Sequence, residues 1–155
     1  MVRLTIAELI DLPDYEIHDR LDGKECVYIF RDEDAVFYIG KSNNPLRRLW
    51  QHLAPEILGS WDAGWSKATD IGRFVAANLP EARGWYVDLL TLKDCEQYTV
   101  FCLQSLCVDD AEANLIHLLQ PSLNREFNGY RCNGQLAKYS CPWAEKISEE
   151  LWPFQ

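Results

Sequence analysis

Two phenols, a guanidinium with an imidazole beside it, and a carboxylate are the groups in this chain with chemistry to offer. The phenols are Tyr28 and Tyr38, each in a short run of strand-forming residues. In an antiparallel hairpin, residues directly opposite one another share a face, and a turn centred on Glu33 sets Tyr28 opposite Tyr38. A turn of the other parity sends them to opposite faces. Arg48 and His52 are four apart in a helical run and so present a cation and an imidazole together. Between Lys41 and His52 the chain carries Lys41, Arg47 and Arg48 and no acidic residue, a basic island in an acidic sequence. Glu112 lies in line with Ile116 and Leu119 on the apolar side of a later helix, where a carboxylate is costly unless it meets a cation or a metal. Taken singly, each has a plainer explanation: packed strand aromatics, a solvated helix face, and a capping-box glutamate three residues after Asp109.

The elements that must position these groups follow from local patterns. Thr5 and Glu8 stand at capping-box spacing, so Thr5–Leu12 reads as a short helix stopped by Pro13. Cys26–Phe30 and Ala35–Gly40 are β-branched and aromatic runs flanking the polar cluster Arg31-Asp32-Glu33-Asp34, a hairpin signature. Asn44 then caps a helix with Pro45 at its first position and Leu46, Leu49, Trp50 and Leu53 along one face. Residues Pro55–Arg83 form an insert with no chemical motif and a helix over about Asp70–Leu79. Trp85–Leu92 is the expected third strand, 94–108 is ambiguous, and Asp109–Leu119 is a capped helix closed by Pro121. After Asn128-Gly129 the tail, with Tyr130, Trp143 and Trp152, reads as an irregular segment wrapped on the core.

The expected fold class is therefore α/β (α+β): a small central three-stranded antiparallel sheet flanked by helices. A chain of 155 residues is close to the modal size of one domain, and 1–155 is read as one, with a core over 26–128, the insert at 55–83 and a C-terminal extension at 129–155. No apolar stretch reaches membrane-spanning length, and Glu8 and Asp11 interrupt any signal-peptide core, so a cytoplasmic protein with no membrane association is expected. The six cysteines are then expected as free thiols; none pair at C-x-x-C spacing, and a thiol enzyme on Cys26 or Cys102 lacks a base at useful spacing. A net charge of -9 opposes non-specific binding to polyanions, so any nucleic-acid contact belongs in a locally basic site.

In order, content and spacing, CVY, then YIGKSNNPLRRLWQH, then EANLIHLLQPSLN resembles the GIY-YIG nuclease superfamily. Tyr38-Ile39-Gly40 matches the second motif, Arg48 stands ten residues after Tyr38 at the family's arginine, and His52 stands where members have His or Tyr. Glu112 and Asn124 frame an E-x11-N pattern, and the resemblance spans roughly Cys26 to Asn128. Three departures are visible: Cys26-Val27 replaces Gly-Ile before Tyr28, the segment after His52 is longer than in minimal members, and the net charge of -9 is atypical of a free-standing DNA nuclease.

The resemblance implies a metal-dependent endonuclease hydrolysing DNA phosphodiesters, duplex or branched, with Tyr28, Tyr38, Arg48, His52, Glu112 and Asn124 as the catalytic set. Glu112 would hold one Mg2+ or Mn2+, Arg48 the scissile phosphate, and Tyr28 would act as general base once neighbouring charge lowers its pKa. Tyr38 and His52 would bind phosphate or move a proton. Asn124 would fix the helix bearing Glu112 or orient substrate. Gly40 would allow close backbone approach where strand turns into loop, and Lys41 and Arg47 would contact backbone phosphates. The alternative function is a catalytically silent scaffold that binds nucleic acid or protein, which the acidic charge and tryptophan-rich tail favour.

Overall fold

A computed structural model describes residues 1–11, 25–53, 69–98, 107–124 and 139, with the side chains of 96–98 excepted. Four strands form one sheet in the order β1-β4-β2-β3, where β1 is Val2–Thr5, β2 Cys26–Arg31, β3 Val36–Ser42 and β4 Tyr86–Leu90. All neighbours are antiparallel. The helices are α1 (Ile6–Asp11), α2 (Pro45–Leu53), α3 (Asp70–Ala77), α4 (Leu92–Tyr98) and α5 (Val108–Leu119), with a 3-10 turn at Glu81–Gly84. The class is the expected α+β arrangement, but the sheet has four strands where three were expected. The extra strand, β1, is four residues long, too short for alternation to announce it.

What holds β1 is a cross-strand ion pair. Arg3 stands opposite Asp88, whose carboxylate is fully buried, and binds it twice, through Nε at 2.6 Å and a terminal guanidinium nitrogen at 2.9 Å. A buried carboxylate requires such a partner, and the paired fork of arginine supplies it. At the strand's end the expected capping box forms. Glu8 N–H donates to Thr5 Oγ1 at 3.1 Å, and Thr5 N–H donates to the Glu8 carboxylate at 2.8 Å, turning the chain directly from β1 into α1.

Side-chain alternation divides the core between the two faces of the sheet. Tyr28, Phe30, Val87 and Leu89 point to the face that holds Leu46, Leu49 and Leu53 of α2 and Ile71, Phe74 and Val75 of α3. Val27, Ile29, Ile39 and Leu90 point to the other, against Ala111, Leu115 and Ile116 of α5. Tyr139 joins the first cluster, its ring 5.1 Å from Phe37 and 5.6 Å from Trp85. The remainder of the expected tail packing, and Trp61 and Trp65, lie outside the described residues. Among those described, no helix is long and apolar enough to cross a membrane, and Cys107 is an exposed free thiol while Cys26 and Cys95 are buried.

Two boundaries differ from expectation. The ambiguous 94–108 stretch begins as α4, with Thr91 and Asp94 exchanging hydrogen bonds at its start. Helix α5 starts one residue early, at Val108, with Cys107 as an N-cap that makes no side-chain cap bond. The Asp109–Glu112 capping box is thus absent: a glutamate serving one stands at the third helical position, and Glu112 stands at the fifth.

Candidate active site

The hairpin register decides whether the two phenols meet. The loop closes with Asp32 N–H donating to Ala35 C=O at 3.0 Å while Asp32 Oδ1 accepts from the N–H groups of Asp34 and Ala35. Arg31 then pairs with Val36. Carried on unbroken, that register would put Tyr28 opposite Ile39 and Tyr38 on the far face. A bulge between Phe30 and Arg31 absorbs Phe37 as an extra residue, after which Phe30 pairs with Tyr38 and Tyr28 with Gly40. Tyr28 and Tyr38 are therefore not directly opposite, as a turn centred on Glu33 would make them. They are diagonal neighbours on one face, with ring centroids 6.3 Å apart.

Gly40 accordingly has a different duty from the one expected of it. It lies within β3, opposite Tyr28, and a Cβ there would overlap the phenol ring. Only glycine leaves the space into which the Tyr28 ring lies down.

Helix α2 delivers the cation and the imidazole. Asn44 Oδ1 accepts from Arg47 N–H at 3.4 Å, and Pro45 opens the helix as expected. Leu46, Leu49 and Leu53 are buried, which turns Arg48 and His52 toward the tyrosines. Arg48 donates to Gln51 Oε1 at 3.0 Å, and its charge acts on the Tyr28 hydroxyl. His52 is buried, with Nε2 2.9 Å from the Tyr28 oxygen and Nδ1 2.8 Å from Thr69 Oγ1.

Burial governs the protonation of both groups. It pushes the Tyr28 phenol well above its ordinary value, with Tyr38 and Glu112 adding to the rise and Arg48 opposing it. It also lowers the His52 imidazole to about 3, with the Arg48 charge acting in the same direction. In the free protein, then, Tyr28 is a neutral phenol and His52 a neutral imidazole.

The described parts of the chain bring Tyr28, Tyr38, Arg48, His52, Glu112 and Asn124 to one cleft of about 370 Å3, whose wall also includes Gly40 and Lys41. Glu112 is half-buried there on the first half of α5. Asn124 lines the cleft, but its amide is committed to the backbone: Nδ2 donates to Ile39 C=O at 2.7 Å and Oδ1 accepts from Ile39 N–H at 2.8 Å. It ties the end of α5 to β3. Lys41 is ion-paired with Asp109 at the start of α5. Arg47 is exposed on a neighbouring depression of about 450 Å3 lined by Ser42, Asn43, Asn44, Arg48 and Gln51, with no acidic residue among the described residues of its wall.

Three members of this site were not singled out from the sequence. Thr69 caps α3, accepting from Gly72 N–H at 3.3 Å, and reaches His52. Gly72 packs against the last turn of α2, where a Cβ would overlap the His52 carbonyl oxygen. Gln51 holds Arg48. Thr69 and Gly72 belong to the insert that reads as motif-free, although the Thr-Asp pair before an apolar run is an N-cap signal.

Among the described residues no three His, Cys, Asp or Glu side chains cluster as a protein cage for a metal. Among the described residues, the cleft wall has two carboxylates, Glu112 and Asp70. That donor set fits a hard divalent cation that keeps most of its waters and shares them with a substrate phosphate, and does not fit a zinc centre built from three or four protein ligands.

No curated protein and no solved structure matches this chain. A family model described as the GIY-YIG catalytic domain matches residues 24–63, a span that holds the hairpin, Arg48 and His52 and stops before Glu112 and Asn124. Over that hairpin and helix, set in an antiparallel sheet flanked by helices, this chain is similar to the GIY-YIG catalytic domain.

Proposed function

We propose that this protein is a divalent-metal-dependent endonuclease that hydrolyses phosphodiester bonds in DNA, duplex or branched, and that it acts in the cytoplasm. The observation that carries the reading is the convergence of Tyr28, Tyr38, Arg48, His52 and Glu112 on one cleft from four separate elements. Phosphodiester hydrolysis needs a nucleophilic water, charge to meet the phosphate oxygens, and a route for protons. Arg48 binds the scissile phosphate: its charge is permanent, and Gln51 restrains its side chain. Tyr28 orients the attacking water and takes its proton, handing its own hydroxyl hydrogen to His52 Nε2. Tyr38 donates to a phosphate oxygen. Glu112, with Asp70 nearby on the wall, holds Mg2+ or Mn2+ through its carboxylate. When bound, the cation neutralises charge on the phosphate and favours the ionised phenol. Asn124 fixes the position of α5 against β3, and Arg47, exposed beside the cleft, contacts a flanking phosphate.

The test is cleavage of plasmid and of duplex, branched and single-stranded oligonucleotides with Mg2+ or Mn2+. Native protein is expected to cut at least one of these and to stop on chelation. Glu112→Ala, Arg48→Ala and Tyr28→Phe are each expected to reduce kcat by about a hundredfold or more. Absence of metal-dependent cleavage on every substrate would sink the reading and leave a binding scaffold in its place.

A further inference from the structure

We infer that Thr69 is a positioning residue of the cleft: its hydroxyl oxygen accepts the Nδ1 hydrogen of His52 and holds the imidazole with a bare Nε2 turned to the Tyr28 hydroxyl. Its catalytic meaning rests on the nuclease reading; the tautomer it fixes does not.

The assignment follows from counting hydrogens. Tyr28 is buried and neutral, so its hydroxyl has one hydrogen that must find an acceptor. Among the described residues, the group within hydrogen-bond distance of that oxygen is His52 Nε2, at 2.9 Å; the Arg48 guanidinium also acts on it, and Tyr38 and Glu112 act through charge alone. A guanidinium only donates. The phenol hydrogen therefore goes to His52 Nε2, which must be unprotonated. A neutral imidazole then carries its single hydrogen on Nδ1, and the group 2.8 Å from Nδ1 is Thr69 Oγ1.

Thr69 can accept that hydrogen because it is a helix cap. Its oxygen already accepts from Gly72 N–H, and a hydroxyl oxygen has two lone pairs. The contact is rigid on both sides. Gly72 lies so close to the His52 carbonyl that the first turn of α3 and the last turn of α2 cannot separate or slide without opening a gap. Threonine, branched at Cβ, has few rotamers with which to leave. The first turn of α3 thereby dictates which nitrogen of a histidine on α2 faces a tyrosine on β2. Without Thr69 no group among the described residues retains the imidazole hydrogen on Nδ1, and the alternative tautomer sets Nε2–H against the Tyr28 O–H.

The experiment is 15N NMR of the His52 ring at neutral pH in the full-length native protein, Thr69→Val and Thr69→Ser, with the His52 signals identified by their loss in His52→Gln. Native protein is expected to show a protonated Nδ1 and a bare Nε2. In Thr69→Val the two nitrogen shifts are expected to converge toward the averaged values of an unfixed imidazole, and Thr69→Ser is expected to restore the native pattern. Cleavage by Thr69→Val is expected to fall about tenfold to a hundredfold in kcat with little change in KM, and to return with Thr69→Ser. A hydrogen found on Nε2 in the native protein overturns the inference without recourse to any variant, so failure of Thr69→Val to fold does not shield it. Unchanged His52 signals in a folded Thr69→Val overturn it as well. If native protein cuts nothing but the nitrogen pattern changes as described, the tautomer assignment stands and the nuclease reading alone falls.

Discussion

His52 couples the stability of the fold to acid. Its pKa is lowered from 6.5 to about 3 by burial and by Arg48, so the unfolded chain binds a proton at this site that the native chain refuses. Stability from this group is therefore complete above pH 6.5 and is lost as pH falls toward 3. At about 1.4 kcal/mol per unit, the loss reaches about 2 kcal/mol by pH 5. Urea titrations at pH 7 and pH 5 should show it, and His52→Gln should flatten the difference while lowering stability at pH 7. Equal pH dependence in native and variant would assign the acid sensitivity elsewhere. At this scale the sequence named most of the cleft, because tyrosine, arginine, histidine and glutamate are recognisable as chemical types. It could not name Thr69 or Gln51, whose roles come from what they touch and not from what they are.

Gly40 shows how an element carries a residue's function. An alanine there would drive its Cβ into the Tyr28 ring, and the two are locked opposite one another by the β2–β3 ladder. Gly40→Ala is expected to cost about 1–3 kcal/mol, as overpacking does, and to displace the Tyr28 hydroxyl from His52. Chemical denaturation together with cleavage assays would detect both losses; an unchanged protein would show that the ring has somewhere else to go. Much of this scale was legible beforehand. The Thr5–Glu8 box, the Asn44-Pro45 start of α2 and the strand pair are local signals, and all three formed. The bulge at Phe37 and the early start of α5 at Val108 were not legible. A bulge is set by how the two faces of a hairpin are buried, and the start of α5 by its docking on β2 and β3; neither leaves a pattern in a short window of sequence. The expectation that the tyrosines share a face therefore survived through a register that differed from the one assumed.

On the scale of the molecule, the question is how a protein of net charge -9 could hold a polyanion. Of the 15 lysines and arginines, three gather beside the cleft: Lys41, Arg47 and Arg48 fall together on β3 and α2, and Lys41 already has Asp109 as a partner. Binding should then depend on few ionic contacts and weaken with salt less steeply than in a basic DNA-binding protein. If Arg47 meets a flanking phosphate, Arg47→Ala should lower the slope of log affinity against log salt by about 1, measured on a fluorescent duplex in chelator so that no cleavage occurs. A parallel shift with no change in slope would place Arg47 away from the DNA.

The amide of Asn124 has a consequence of another kind. Among the described residues β3 is an outer strand of the sheet, and such strands offer unpaired backbone groups on which another chain can template. Asn124 covers the N–H and C=O of Ile39, and Leu123 N–H takes the Phe37 carbonyl at 2.9 Å, so two residues of the loop after α5 shield the rim next to the cleft. Losing that shield would expose a sticky strand in an otherwise folded protein. The cost of Asn124 variants would then rise with protein concentration, as self-association, and a dilute assay of stability alone would miss it.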